Sequence, residues 1–534
     1  MGDAPTRASG PLTGGTPTRA TGPLADPARL LFPAIRWQEG SGFADAEPAI
    51  EQALELGVGG WILFGGEADA LRELTARLRR ESRHPILIGA DLERGAGQQF
   101  RGATPLPPLA ALGSLDDEDV AERAGELTAR EALALGVDWV YAPMADIDVE
   151  PRNPIVGTRS LGSDPATVAR LVAAWIRGCA RAGALSCAKH FPGHGRTTTD
   201  SHIELPSVDA SAEQLEQDLE PFRAAIAEGV DSIMTAHVSY AALDPSGSPA
   251  TMSRPIVTEL LRERLGYDGL VVTDALIMEG ALADAGEAEA AVRAVAAGCD
   301  AMLYPERPAA VARRLREAVD AGDLDAARLE RSVQRIADAA RRTAIGGGSG
   351  DASGATGIGD ASGATGSGGA SAAIARDEDR RWADDVAMRT VQVVRGAPAA
   401  IGGSVQVVTV DDDVGGPYPP PARRVLIESL RGRGIEVEAV DGAEGPPDRP
   451  GTEAAGGQRI IAVYADIRAW KGRPGISERA QELIEGWLDG ASLILLFAHP
   501  RLSGDLPDGV PVVAAWGGEA VMQRAAAEWL TRSR

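Results

Sequence analysis

Between residues 28 and 343 one pattern recurs eight times: a short apolar run, a polar or glycine-rich turn, then an Ala/Leu/Arg-rich stretch of helical period. The runs fall at 30–35, 60–64, 86–90, 139–143, 185–188, 232–236, 270–273 and 301–304. Several follow a Gly-x-Asp turn, at Gly136-Val137-Asp138, Gly229-Val230-Asp231 and Gly298-Cys299-Asp300, where glycine suits the cap that ends a helix. Eight strands alternating with helices predict a (β/α)8 TIM barrel. A doubly wound open sheet shares that alternation. The polar residues favour the barrel: Asp91, Asp146, the stretch from Lys189 to His202, His237 and Asp274 all come just after apolar runs, at the strand ends where barrel enzymes build their sites.

Two low-complexity segments bound this unit. Residues 1–27 hold an imperfect duplication (Pro5-Thr6-Arg7-Ala8 against Pro17-Thr18-Arg19-Ala20) and read as a disordered arm. Residues 346–373 repeat Gly-Asp-Ala-Ser-Gly-Ala-Thr-Gly and read as a flexible linker. The barrel then spans 28–345, and 374–534 forms a smaller α/β sandwich, with a helical stretch at 376–395, apolar runs at 405–410, 460–463, 493–497 and 510–514, and helical patterns at 421–434 and 477–488. A formal charge of −24 opposes nucleic acid and anionic membrane surfaces. The three cysteines, Cys179, Cys187 and Cys299, are odd in number and lie in apolar segments, so no disulfide framework follows. There is no apolar signal segment and no run of eighteen uncharged apolar residues, and a cytoplasmic protein is expected. Oligomeric state is not legible.

Chemistry concentrates in one segment. Three of the six histidines lie within thirteen residues, in Lys189-His190-Phe191-Pro192-Gly193-His194-Gly195 followed by Asp200-Ser201-His202. Proline and two glycines exclude a helix, so His190 and His194 do not face each other as zinc ligands at i, i+4, and no metal is expected. Asp200 beside His202 is a general acid/base pair in outline, since a carboxylate orients imidazole and favours its protonated form. The plainer alternative is an Asx turn and a surface histidine. Asp274, at the end of the run 270–273, suits a nucleophile held by rigid strand backbone, or else caps the following helix. Lys189, His190 and Asp91 at strand ends mix cation, imidazole and carboxylate, as a hydroxyl-rich ligand requires. Arg159, in the loop after the fourth run, fits either such a site or a solvated surface.

Together these segments resemble family 3 glycoside hydrolases, in their bacterial β-N-acetylhexosaminidase branch. The resemblance rests on Lys189-His190-Phe191-Pro192-Gly193-His194-Gly195 with Asp200-Ser201-His202, on Asn153-Pro154 with Gly157-Thr158-Arg159-Ser160, and on Thr273-Asp274-Ala275-Leu276. It implies a retaining exo-β-N-acetylglucosaminidase without metal or organic cofactor, acting on small saccharides through a glycosyl-enzyme intermediate. Asp274 would be the nucleophile, His202 the general acid/base assisted by Asp200, and Asp91, Arg159, Lys189 and His190 the sugar-binding set. The alternatives are a phosphorylase that uses phosphate in place of water and a β-glycosidase of another sugar specificity. One departure stands out. Where the branch reads Gly-Gly-Arg-Val-Gln-Arg, this chain has Arg94-Gly95-Ala96-Gly97-Gln98-Gln99, without arginine at positions 96 and 99.

Overall fold

The computed structural model describes residues 26–282, 286–346, 374–412, 421–445, 458–465, 471 and 473–532. The expected arm, apart from its last two residues, and nearly all of the expected linker lie outside the described residues. The chain is α/β with parallel sheets.

Among the described residues eleven strands occur before residue 304: β1 (Leu31–Phe32), β2 (Ala34–Arg36), β3 (Gly60–Phe64), β4 (Leu87–Ala90), β5 (Trp139–Val140), β6 (Cys187–Phe191), β7 (Ser207–Val208), β8 (Ser232–Thr235), β9 (Ser239–Tyr240), β10 (Leu270–Thr273) and β11 (Met302–Leu303). Nine of them coincide with the eight apolar runs, the first run being split by Pro33, which has no N–H to give to a ladder. The short β7 and β9 pair with each other and have no counterpart in the sequence reading. Parallel ladders run β2-β3-β4-β5, β6-β8-β10 and β1-β11. Single parallel bridges join Trp139 of β5 to Leu185, two residues before β6, and Val272 of β10 to Ala301, the residue before β11. Every residue of β3, β4, β6, β8 and β10 is buried, as expected for parallel strands covered on both faces.

The three Gly-x-Asp turns serve more than capping. Gly136 and Gly229 have φ of +78° and +85°, where a side chain is strained, and a Cβ on Gly136 would also lie 2.2 Å from Thr75 Oγ1. The aspartate after each then ties its strand to the neighbouring one. Asp138 accepts from Ile88 N at 2.8 Å, Asp231 from Ser186 N at 3.0 Å and Asp300 from Val271 N at 3.0 Å. Each also meets arginine: Arg79 at Asp138, Arg342 at Asp231, and Arg262, Arg328 and Arg335 at Asp300. The buried charge is thereby paired and hydrogen-bonded. All three stitches lie at the strand starts, opposite the strand ends that carry the chemistry.

The second sheet holds β12 (Gln392–Arg395), β13 (Ser404–Asp411), β14 (Glu436–Asp441), β15 (Gln458–Tyr464), β16 (Ala491–Phe497) and β17 (Val512–Ala514), in the order β12-β17-β16-β15-β13-β14. All pairs are parallel except β12 with β17. Period-two alternation splits its core cleanly. Ile460, Ala462, Tyr464, Leu493, Leu495 and Phe497 face the helices Arg424–Gly432 and Ala520–Thr531, while Ile461, Val463, Ile494 and Leu496 face the helix Glu478–Gly486. Two expectations need correction. The helix expected over 376–395 ends at Thr390, because the β-branched run Val391-Gln392-Val393-Val394 takes up the edge strand β12. The strand β14 was not expected, since Glu436, Glu438 and Asp441 make it polar and largely exposed.

Candidate active site

The sequence predicted that Lys189 and His190 follow a strand; they lie inside β6, which runs to Phe191. Lys189 is buried and donates to Asp91 at 2.7 Å, with Glu93 at 2.8 Å. Arg159 closes the group, its Nε and Nη2 donating to Glu93 at 2.9 and 2.7 Å. Two cations and two carboxylates therefore form one network. Burial disfavours the charge on Glu93, but Arg159 and Lys189 outweigh it and hold the carboxyl well below its usual range. Burial likewise opposes the Lys189 ammonium, and Asp91 and Glu93 raise it above its usual value. Arg159 is paired with Glu93, with its side chain 23% exposed. Asp91, 30% exposed, is the most open member.

His190 is fixed from behind. Asp146, wholly buried, takes His190 Nδ1 at 2.8 Å and accepts from His194 N at 2.6 Å. A partner on Nδ1 sets the ring orientation and directs Nε2 forward, where it stands 3.8 Å from Asp274 Oδ2. Asp274 follows β10 directly, and its Oδ1 accepts from Ala275 N at 2.7 Å. The next helix begins only at Glu279, so Asp274 is not its cap. Burial pushes the Asp274 carboxyl up, and His190, His237 and His202 outweigh that and bring it down to about 2. At neutral pH it is an anion.

The segment after β6 carries His194 and His202. His202 Nδ1 lies 2.7 Å from Asp200 Oδ1, which also accepts from His202 N at 2.9 Å. Asp200 is buried and the His202 side chain is 16% exposed, so the carboxylate sits behind the ring. His194 has both ring nitrogens engaged, with Thr197 Oγ1 at 2.8 Å and Ser201 Oγ at 3.1 Å. Burial lowers it to about 4, against Asp146, so it stays neutral and braces the loop. Gly195 is required here, since a Cβ would lie 1.8 Å from Ile147 O. Asn153 Nδ2 donates to His194 O at 2.9 Å, joining this loop to the one after β5. Among the described residues no group of three or more His, Cys, Asp or Glu has the arrangement of a metal site.

All seven residues singled out from the sequence thus lie in one region. The structure adds Glu93, which links Lys189 to Arg159, and Asp146, which fixes His190. It also adds His237, whose Nε2 is 3.1 Å from Ala275 O beside Asp274. Glu93 was legible only as the second carboxylate of Asp91-Leu92-Glu93. Asp146 and His237 were visible as polar residues after apolar runs but had no motif. Arg101 points outward to Glu39 and Glu67, both exposed, and Arg94 pairs with Glu519 and donates to Thr158 Oγ1 at 3.3 Å.

A strand-held carboxylate, a carboxylate-backed imidazole and a cluster of buried charges at the ends of parallel strands define a hydrolytic or group-transfer site for polar ligands. Residues 38–339 match the glycosyl hydrolase family 3 N-terminal domain, and the chain belongs to that family. It is 39% identical over 279 residues to a beta-hexosaminidase of Chromobacterium violaceum, covering 50% of this chain and 77% of that one. It is 36% identical over 280 residues to a beta-N-acetylglucosaminidase/beta-glucosidase of Cellulomonas fimi, covering 50% of this chain and 49% of that protein. Among solved structures it is similar to a family 3 beta-N-acetylglucosaminidase of Paenibacillus sp. str. FPU-7, with a TM-score of 0.79, 30% identity and coverage of 95% of this chain and 96% of that one. A beta-glucoside phosphorylase shares the fold at 23% identity, with a TM-score of 0.80 and coverage of 96% and 92%.

Proposed function

We propose that the protein is a retaining exo-β-N-acetylglucosaminidase that releases terminal β-linked N-acetylhexosamine from small saccharides. The observation that carries this reading is Asp274, kept anionic among His190, His202 and His237, with His202 backed by Asp200 at 2.7 Å. His202 protonates the leaving oxygen while Asp274 attacks the anomeric carbon to form a glycosyl ester. Neutral His202 then removes a proton from water, which displaces Asp274 with net retention. Asp200 holds the ring and stabilises the imidazolium. Asp91, Arg159, Lys189 and His190 hold the hydroxyls of the sugar. Neither metal nor organic cofactor enters this course.

The fold beneath the reading is a (β/α)8 barrel over 28–345, a linker over 346–373 and an α/β sandwich over 374–534. Supporting closure is the parallel succession from β2 through β5, β6, β8, β10 and β11 to β1. Three buried free cysteines accord with a cytoplasmic location. Among the described residues no helix is long and apolar enough to cross a membrane. The charge of −24 argues against nucleic acid as a partner.

The test is a panel of aryl β-glucoside, β-xyloside and β-N-acetylglucosaminide, assayed with and without phosphate. The N-acetylglucosaminide should be cleaved fastest, to free sugar in both buffers. Accumulation of a sugar 1-phosphate would make the protein a phosphorylase, and preference for another glycoside would overturn the sugar assignment. Asp274→Ala should lower kcat by at least roughly a thousandfold.

A further inference from the structure

The second sheet reaches the site through two turns at the ends of its strands. After β16, His499 and Arg501 approach Asp148, whose side chain is 7% exposed. Arg501 Nη1 is 2.7 Å from both Asp148 oxygens, and His499 Nε2 is 3.3 Å from Oδ2. Arg501 N donates to His499 Nδ1 at 3.2 Å, so the ring's proton is on Nε2, directed at Asp148. Burial raises the Asp148 carboxyl, and His499 and Arg501 outweigh that and hold it low. The His499 ring stands edge-on to Trp516, with centroids 5.3 Å apart. After β17, that same turn continues to Glu519, which pairs with Arg94.

The two gripped segments are those that carry the charged cluster. Asp148 is two residues from Asp146, the partner of His190, and its N–H donates to Gly162 O at 2.8 Å, closing the loop that contains Arg159. Arg94 adjoins Glu93 and reaches Thr158, the residue before Arg159. Ala110 and Ala111, from the helix Leu109–Gly113, are buried within the core of the second sheet, so the contact is apolar as well as ionic. We infer that the second domain is a brace for sugar binding: Arg501 and His499 on Asp148, and Glu519 on Arg94, are positioning residues that fix the loops bearing Asp146, Arg159 and Glu93. This rests on the reading of Lys189, His190, Arg159 and Asp91 as the sugar-holding set.

A brace acts on ground state and transition state alike, so its loss raises KM and spares kcat. In the full-length chain, Arg501→Ala and Asp148→Asn should each raise KM for an aryl β-N-acetylglucosaminide by roughly tenfold with kcat within about twofold. Arg501→Lys should recover part of the loss, and the Asp148→Asn/Arg501→Ala double variant should be no worse than the single ones. Arg473, which pairs with Asp412 inside the second domain, supplies the control: Arg473→Ala should lower Tm and leave KM unchanged. Lys189→Ala separates the two layers of inference. If Lys189→Ala raises KM while Arg501→Ala and Asp148→Asn keep the wild-type value, the brace is wrong and the sugar-holding set stands. If Lys189→Ala also leaves KM unchanged, both fall.

Discussion

The acid/base assignment belongs to single residues and has a consequence at that scale. With Asp200 behind it, His202 is the proposed proton donor to the leaving oxygen, so the effect of His202→Ala should depend on leaving-group ability. The loss in kcat/KM should be roughly a hundredfold or more on a poor alkyl leaving group and far smaller on a dinitrophenolate. Equal losses on both would remove His202 as the acid. The neighbouring histidines bring the Asp274 carboxyl down to about 2, so the acidic limb of the pH profile above pH 4 should not shift when His237 is replaced by Asn, although Asp274 itself rises. Asp218 gives a stability prediction. Burial raises its carboxyl to about 6, against Arg196 Nε at 2.8 Å. The folded state then binds more protons than the unfolded state between the ordinary carboxylate pKa and about 6, so stability falls as pH rises through that window. In Asp218→Asn, a melting series from pH 4 to 7 should lose that component of the slope.

The elements explain which parts of this arrangement were legible beforehand. Strands buried on both faces, such as 60–64 and 270–273, advertise themselves as unbroken apolar runs and matched to the residue. The edge strands β12 and β14 have one polar or exposed face, so their sequences carry no unbroken apolar run to mark them. The residues of 189–195 and 153–160 were readable because rare side chains stand there among glycine and proline; Glu93, Asp146 and His237 were not, because a carboxylate or lone histidine after a strand has the same appearance whether it caps, pairs or reacts. The stitch at Asp300 shows the same ambiguity, since its glycine was legible as a cap and its arginine partners come from residues 262 to 335. Asp300→Ala strands those arginines and opens the β10–β11 junction, and should destabilise by about 3–5 kcal/mol in denaturant unfolding. A change under about 1 kcal/mol would mean that the cluster is dispensable.

At the scale of the whole molecule, the chain divides its labour by position. Strand starts hold the aspartate–arginine stitches, strand ends hold Asp274 and the charged cluster proposed to bind sugar, and a second α/β unit presses on the loops between. Its sequence carries no motif that announces this contact, because His499, Arg501 and Glu519 gain meaning only from Asp148 and Arg94, several hundred residues away. The central claim is nonetheless local: Asp274 forms a covalent bond to the sugar. The most direct measurement is peptide mapping by mass spectrometry after trapping with an activated fluoro-sugar analogue of N-acetylglucosamine. One added glycosyl mass is expected on the peptide containing Asp274, absent in Asp274→Ala. A glycosyl adduct on another residue, or turnover by Asp274→Ala at near the wild-type rate, would contradict it.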